Sequence, residues 1–254
     1  MGLQWWTFCL ATGAVAWPWP WPWGGSTTKS LGETPRGHEA SRTSRGLYRL
    51  LDASSPAPPH CTDARPEPLG PGMHNLSLPG ENNATRRYLL YVPTGYNAQV
   101  GTPVVLLGPG TSEAPNVTLN ISELAAFAES RSFLLAVLIG KDDLLNVILD
   151  AKELPFRPDD VAYVRNIIGA MSRRVCIDER RIFCTGYSRG ARFCARLASE
   201  LPNLVAAIAP VAGVVYPTPN HAPWAVPVIA FHGTEDKINP FDGGGPSYWQ
   251  GSVH

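Results

Sequence analysis

Gly186-Tyr187-Ser188-Arg189-Gly190 has the spacing G-x-S-x-G, which puts a serine on a sharp turn between strand and helix with its hydroxyl lifted clear of the backbone. Gly186 and Gly190 allow that turn and let helix and strand approach where a Cβ would clash. A serine alcohol attacks a carbonyl only when a base takes its proton, and the base needs a carboxylate to fix its tautomer and stabilise its charged form. Ser188 is the candidate nucleophile, and the chemistry would be acyl transfer. Asp236, in Phe231-His232-Gly233-Thr234-Glu235-Asp236, is the candidate orienting acid; Glu235 beside it is the alternative acid and otherwise reads as a solvated loop residue. An oxyanion hole needs two amide donors, one following the nucleophile and one from the loop after an early strand. These fall on Arg189 and on Gly110 or Thr111, because Pro109 has no N–H. The base is harder to place. His254 is the terminal residue, His221 lies in a Pro-rich loop, and His232 beside a glycine at a strand end reads as a structural histidine.

The elements around these residues are those that such a turn requires. Arg181 to Thr185 is a β-branched and aromatic run ending at a glycine, and Ala191, Cys194, Ala195, Leu197 and Ala198 recur at helical spacing. Upstream, strands are expected at Arg86 to Val92, Thr102 to Leu107 and Phe133 to Ile139, the last two without alternation, as in strands covered on both faces. A helix is expected from Ser122, with Leu124, Ala125, Phe127 and Ala128 as its buried stripe. Pro158-Asp159-Asp160 opens another, with Val161, Val164, Ile167 and Ile168 facing the core; the two aspartates look like a catalytic pair but are read as helix-capping acids. Val205 to Val211 and Val226 to Phe231 read as further buried strands, and Ser247 to His254 as the start of a helix. The alternation predicts an α/β fold, a mostly parallel sheet with helices on both faces. Ligands of such sheets bind at the carboxyl ends of the strands, where Ser188 and Asp236 fall.

Composition narrows the partners. With 254 residues, 44% hydrophobic and 17% charged, the chain can build one sizeable core. A formal net charge of zero gives no electrostatic case for nucleic acid or an anionic membrane and suits a neutral substrate. No metal or cofactor is called for, and a monomer is expected.

Residues 1–16 are apolar and end in Ala14-Val15-Ala16, an A-x-A site, so they read as a signal peptide. Residues 17–71 read as a linker that begins with the strip Trp17-Pro18-Trp19-Pro20-Trp21-Pro22-Trp23, and folding is expected to begin near Pro71, giving a domain over 72–254. Sequons at Asn75, Asn83, Asn116 and Asn120 support a eukaryotic secretory route and an extracellular glycoprotein. Five cysteines are present. Cys9 lies in the leader, and Cys61, Cys176, Cys184 and Cys194 allow three pairings among which the sequence does not choose. Cys184 and Cys194 flank the serine turn and could pair, or both could be buried thiols.

Taken together, several stretches resemble secreted esterases of the feruloyl esterase and polyhydroxybutyrate depolymerase group, α/β-hydrolases of carbohydrate esterase family 1 type. They are Arg87-Tyr88-Leu89-Leu90-Tyr91-Val92-Pro93-Thr94-Gly95-Tyr96, Asp159 to Val164, Cys176-Ile177-Asp178-Glu179-Arg180-Arg181-Ile182-Phe183, the serine turn, Ala207 to Gly213, and Phe231 to Gly244. The resemblance implies an α/β-hydrolase fold with Ser188 as nucleophile and Asp236 as acid, in the order Ser, Asp, His. Two departures stand out. Leu107-Gly108-Pro109-Gly110 replaces the family's His-Gly, and the family's histidine lies in a later segment, so the chain is expected to be a fragment truncated at its C-terminus. The function implied is a secreted serine esterase cleaving feruloyl-type esters of plant cell-wall polysaccharide. The alternatives are a polyester depolymerase, an acetyl esterase, or an inactive hydrolase-fold protein.

Overall fold

A computed structural model describes residues 57–61, 65–147, 158–218, 220, 222–247 and 249–251. The expected leader, the Trp-Pro strip, His221 and His254 lie outside these residues. The strands are β1 (Gly72–Pro79), β2 (Thr85–Val92), β3 (Thr102–Gly108), β4 (Leu134–Leu138), β5 (Ile177–Tyr187) and β6 (Ala207–Val211). The helices are α1 (Pro115–Ser122), α2 (Leu124–Arg131), α3 (Asp160–Ser172) and α4 (Arg189–Glu200).

The strands form one sheet in the order β1-β2-β4-β3-β5-β6. β1 and β2 pair antiparallel, as do β2 and β4, whereas β4, β3, β5 and β6 run parallel. Residues 227–231 continue the sheet beyond β6. The Ile208 amide donates to the Pro227 carbonyl at 3.0 Å, and the Phe231 amide to that of Pro210 at 3.0 Å. That segment and five of the strands match the sequence reading. β1 does not, because it is an edge strand whose outward Met73, Asn75 and Ser77 are exposed and dilute its apolar signal.

The two-residue period of the central strands divides the core between two faces. Val104 and Leu106 of β3, with Leu134 and Ala136 of β4, pack with Val164, Ile167 and Met171 of α3 and Phe193 and Leu197 of α4. Val105 and Leu107, with Leu135 and Val137, pack on the other face with Leu124 and Ala128 of α2. Helices therefore cover both faces, and continuous apolar runs are what such strands require.

Asp159 caps α3 as the sequence suggests, accepting from the Val161 and Ala162 amides at 3.0 Å each. Asp160 is fully buried and takes Arg86 at 2.6 Å on one oxygen and the Asn146 amide at 2.6 Å on the other. Burial pushes its carboxyl above its ordinary range, against the pull of Arg86 and that amide. This aspartate fastens the loop after β4 to the start of β2, and neither member of the pair is placed for catalysis.

Two readings change. Residues 58–61 and 65–70, expected to be linker, are fastened to the domain: Gly101 donates to the Pro59 carbonyl at 2.7 Å, Arg65 to that of Ser172 at 2.7 Å, and Cys61 is bonded to Cys176. Ser247 and residues 249–251 are not helical. Trp249 is instead buried at 1% exposure, with its indole N–H on the Pro240 carbonyl at 2.7 Å, and Pro246 closes a turn onto its amide.

Candidate active site

Ser188 joins β5 to α4 with φ 52° and ψ −107°, a conformation that an L-residue holds only when its surroundings impose it. They do so by close packing. A Cβ at Gly190 would stand 1.9 Å from the Gly108 carbonyl oxygen, so the first turn of α4 lies against the end of β3 with no room for a side chain. A Cβ at Gly213 would stand 2.3 Å from the Ser188 carbonyl oxygen, which places the segment after β6 equally close. The Cys184 to Cys194 disulfide joins the strand and helix on either side of the turn, with Cα atoms 5.5 Å apart. Ser188 is half-buried, and its Oγ has no hydrogen-bond partner among the described residues.

The candidate acid, Asp236, lies at the same edge of the sheet. Asp236 follows the segment 227–231, two positions along from β5. Its Oδ1 accepts the amides of Ile238 at 2.8 Å and Asn239 at 2.9 Å. Its side chain is only 19% exposed, so the carboxylate is held in a fixed orientation by backbone donors. Glu235 is exposed, as expected of a loop residue.

His232 is a structural residue, as read from its position. Its ring is 3% exposed, stacks on Trp249 with centroids 5.3 Å apart, and meets Phe241 edge-on. Nε2 sits 2.7 Å from the Asn239 carbonyl, which requires the proton on that nitrogen, and 3.6 Å from Asp236 Oδ2. Among the described residues no histidine bonds Ser188 Oγ: His60 is exposed, and His74 on β1 is bonded to the Gly70 carbonyl at 2.8 Å.

The residues expected to supply oxyanion donors are Arg189, Gly110 and Thr111. Arg189 is the first residue of α4, so its amide belongs to the helix N-terminus, and its side chain donates to the Leu145 carbonyl at 2.5 Å. The Gly110 amide, expected to face an oxyanion, donates instead to Glu113 Oε2 at 2.9 Å. Thr111 is exposed in the turn between them. A carboxylate thus holds the amide that the sequence reading offers as an oxyanion donor. Sequence reasoning overlooked Glu113, whose only signal is its position three residues after Gly110, and Asn239, whose signal is the same spacing after Asp236.

Between the start of β2 and the end of β4 is a cleft of about 390 Å³ whose lining includes none of Ser188, Asp236, Gly110 and Thr111. Asn82, Arg86, Arg87, Lys141 and Asp142 line it. Asn75, Asn83, Asn116 and Asn120 are all exposed. No helix among the described residues is long and apolar enough to cross a membrane.

No family model matches the chain. It is 29% identical over 163 residues to NocK of Nocardia uniformis subsp. tsuyamanensis, a protein named as an esterase, covering 63% of this chain and 47% of that one. It is 26% identical over 186 residues to a protein of Aspergillus terreus named as a feruloyl esterase C, covering 72% of this chain and 67% of that one. Among solved structures, a thermostable esterase superposes with a TM-score of 0.54 at 22% identity, over 67% of this chain and 48% of that one. The chain spans less than half the length of several curated relatives it matches, 47% of one and 22% of another. The resemblance to esterases read from the motifs is thus repeated in its relatives, and the sheet and its helices are those of the α/β-hydrolase fold.

Proposed function

We propose that this chain is a carboxylic-ester hydrolase in which Ser188 forms an acyl-serine intermediate and Asp236 is the orienting acid. The observation that carries the reading is the strained backbone of Ser188 at the junction of β5 and α4, because such strain is kept where a side chain must be presented in one pose. In the first half-reaction Ser188 Oγ would add to the ester carbonyl and give its proton to a base. The collapsing tetrahedral intermediate would then expel the alcohol, which takes the proton back. Water repeats the sequence on the acyl-serine, releasing the acid and restoring the serine. Asp236, fixed by two amides, would hold the base in one tautomer; that base would have to come from outside the described residues.

The substrate proposed is the ester-linked feruloyl group of plant cell-wall polysaccharide. Two observations support it: the relatives named as feruloyl esterases and the zero net charge. Secretion is supported by the leader, by four exposed sequon asparagines and by two disulfides, which persist in oxidising compartments. The rival reading, a hydrolase fold without turnover, is favoured by the Gly110 to Glu113 contact. Release of ferulate from methyl ferulate and from feruloylated arabinoxylan by the purified chain, compared with Ser188→Ala, separates the two. Release lost in the variant supports the esterase, and no release by the wild type supports the rival.

A further inference from the structure

Asp236 and Ser188 sit on loops that follow different strands, and one buried side chain joins them. Asn239 is 3% exposed. Its Nδ2 donates to the carbonyl of Ala212 at 2.8 Å, and its backbone amide donates to Asp236 Oδ1 at 2.9 Å. Ala212 follows Val211, whose carbonyl accepts the amide of Ser188 at 2.9 Å. The Ala212 amide is fixed in turn by the Phe231 carbonyl at 2.8 Å. The Asn239 carbonyl accepts His232 Nε2, so the same residue also ties down the segment that carries the acid. The route from carboxylate to nucleophile therefore runs Asp236, Asn239, Ala212, Val211, Ser188, with a hydrogen bond or a peptide bond at each step.

The second observation is a cost. Asn239 Oδ1 is buried and accepts no hydrogen bond from the described residues, a cost that an apolar side chain of the same size would avoid. A residue needed only to fill this space would more cheaply be leucine, since buried polar groups left unsatisfied detract from stability. What the carboxamide adds is a donor that reaches Ala212, at the turn against which Ser188 is packed.

We infer that Asn239 is a positioning residue that sets the Asp236 carboxylate relative to Ser188 by clamping the acid loop to the end of β6. The inference rests on the reading of Ser188 and Asp236 as nucleophile and acid. Loss of the clamp lets the carboxylate drift from its partner, and displacement of about 1 Å costs on the order of 10²-fold in rate.

The test is the rate of fluorophosphonate labelling of Ser188 in the full chain, compared across wild type, Asn239→Leu, Asp236→Asn and the double variant, each with its thermal midpoint. Labelling of Asn239→Leu is expected to fall about 10- to 100-fold with its midpoint little changed. In the Asp236→Asn background the same substitution should add almost nothing, because both act through one carboxylate. Equal labelling of wild type and Asn239→Leu, or a full additional loss in the Asp236→Asn background, overturns the positioning role alone. Wild type that labels no better than Ser188→Ala removes the esterase reading and the inference with it. Should Asn239→Leu not fold, Asn239→Ala is read by the same two comparisons.

Discussion

The amide of Ser188 donates to the carbonyl of Val211 at 2.9 Å, so the serine turn is bonded to the end of the neighbouring strand as well as to its own helix. Together with the Gly108 to Gly190 approach this leaves the turn no freedom to relax. Gly190→Ala would force a Cβ to within 1.9 Å of a backbone oxygen. Chemical denaturation should show it destabilised by about 1–3 kcal/mol, or unfolded outright. Gly169, inside α3 with open space where its Cβ would be, is the contrasting position. Gly169→Ala should stabilise the fold by about 0.5–1 kcal/mol.

The Glu113 carboxylate on the Gly110 amide makes a separate prediction. If that amide is one of two oxyanion donors, a carboxylate in place of the oxyanion both blocks the donor and repels developing charge. Glu113→Ala should then raise kcat for a small ester such as p-nitrophenyl acetate, by as much as about 10²-fold, the worth of one such donor. An unchanged or lower kcat would mark Glu113 as a structural brace of the loop.

The two disulfides should differ in weight. Cys61 and Cys176 are 115 residues apart, and closing a loop of that size removes about 4–5 kcal/mol of chain entropy from the unfolded state; Cys184 and Cys194, 10 apart, remove about 2.5–3 kcal/mol. Denaturant midpoints of Cys61→Ala/Cys176→Ala and Cys184→Ala/Cys194→Ala proteins check the order, with the first pair expected to lose more.

Acid should act partly through Glu129. The hydroxyl of Thr94, the amide of Thr94 and the hydroxyl of Tyr91 all donate to its carboxylate and hold it below the ordinary glutamate value of 4.5. A carboxyl whose folded pKa is depressed favours the folded state above its unfolded value, and that stabilisation is lost as pH falls through the folded value. Wild type should therefore exceed Glu129→Gln in urea midpoint at pH 7, and the gap should close below pH 4.5. A gap independent of pH would assign the effect to packing between α2 and the end of β2.

The serine turn was legible because its signal is local: two glycines at fixed spacing, between a β-branched run and a helical repeat. Strands β3 and β4 were legible because strands covered on both faces are unbroken apolar runs. β1 was obscured by its exposed Asn75 and Ser77, and α1 by a Pro-Asn-Val-Thr sequence that reads as loop. What joins distant segments left no such trace. Nothing local tells that Arg65 reaches the Ser172 carbonyl, that Cys61 pairs with Cys176, or that Trp249 folds back over His232. At the site, residue types pointed to Ser188 and Asp236, but the bonds that hold Gly110 and Asn239 depend on loop conformation.

Trapping the acyl group on Ser188 distinguishes an ester-cleaving nucleophile from an ordinary serine at a strained turn. The chain is mixed with a feruloyl ester, quenched in acid within seconds, digested, and the peptide carrying Ser188 weighed by mass spectrometry. A feruloyl mass increment on Ser188, absent in Ser188→Ala and reduced in Asp236→Asn, is the result expected. A peptide of unmodified mass, with no ferulate released into solution, would contradict the ester-cleaving role.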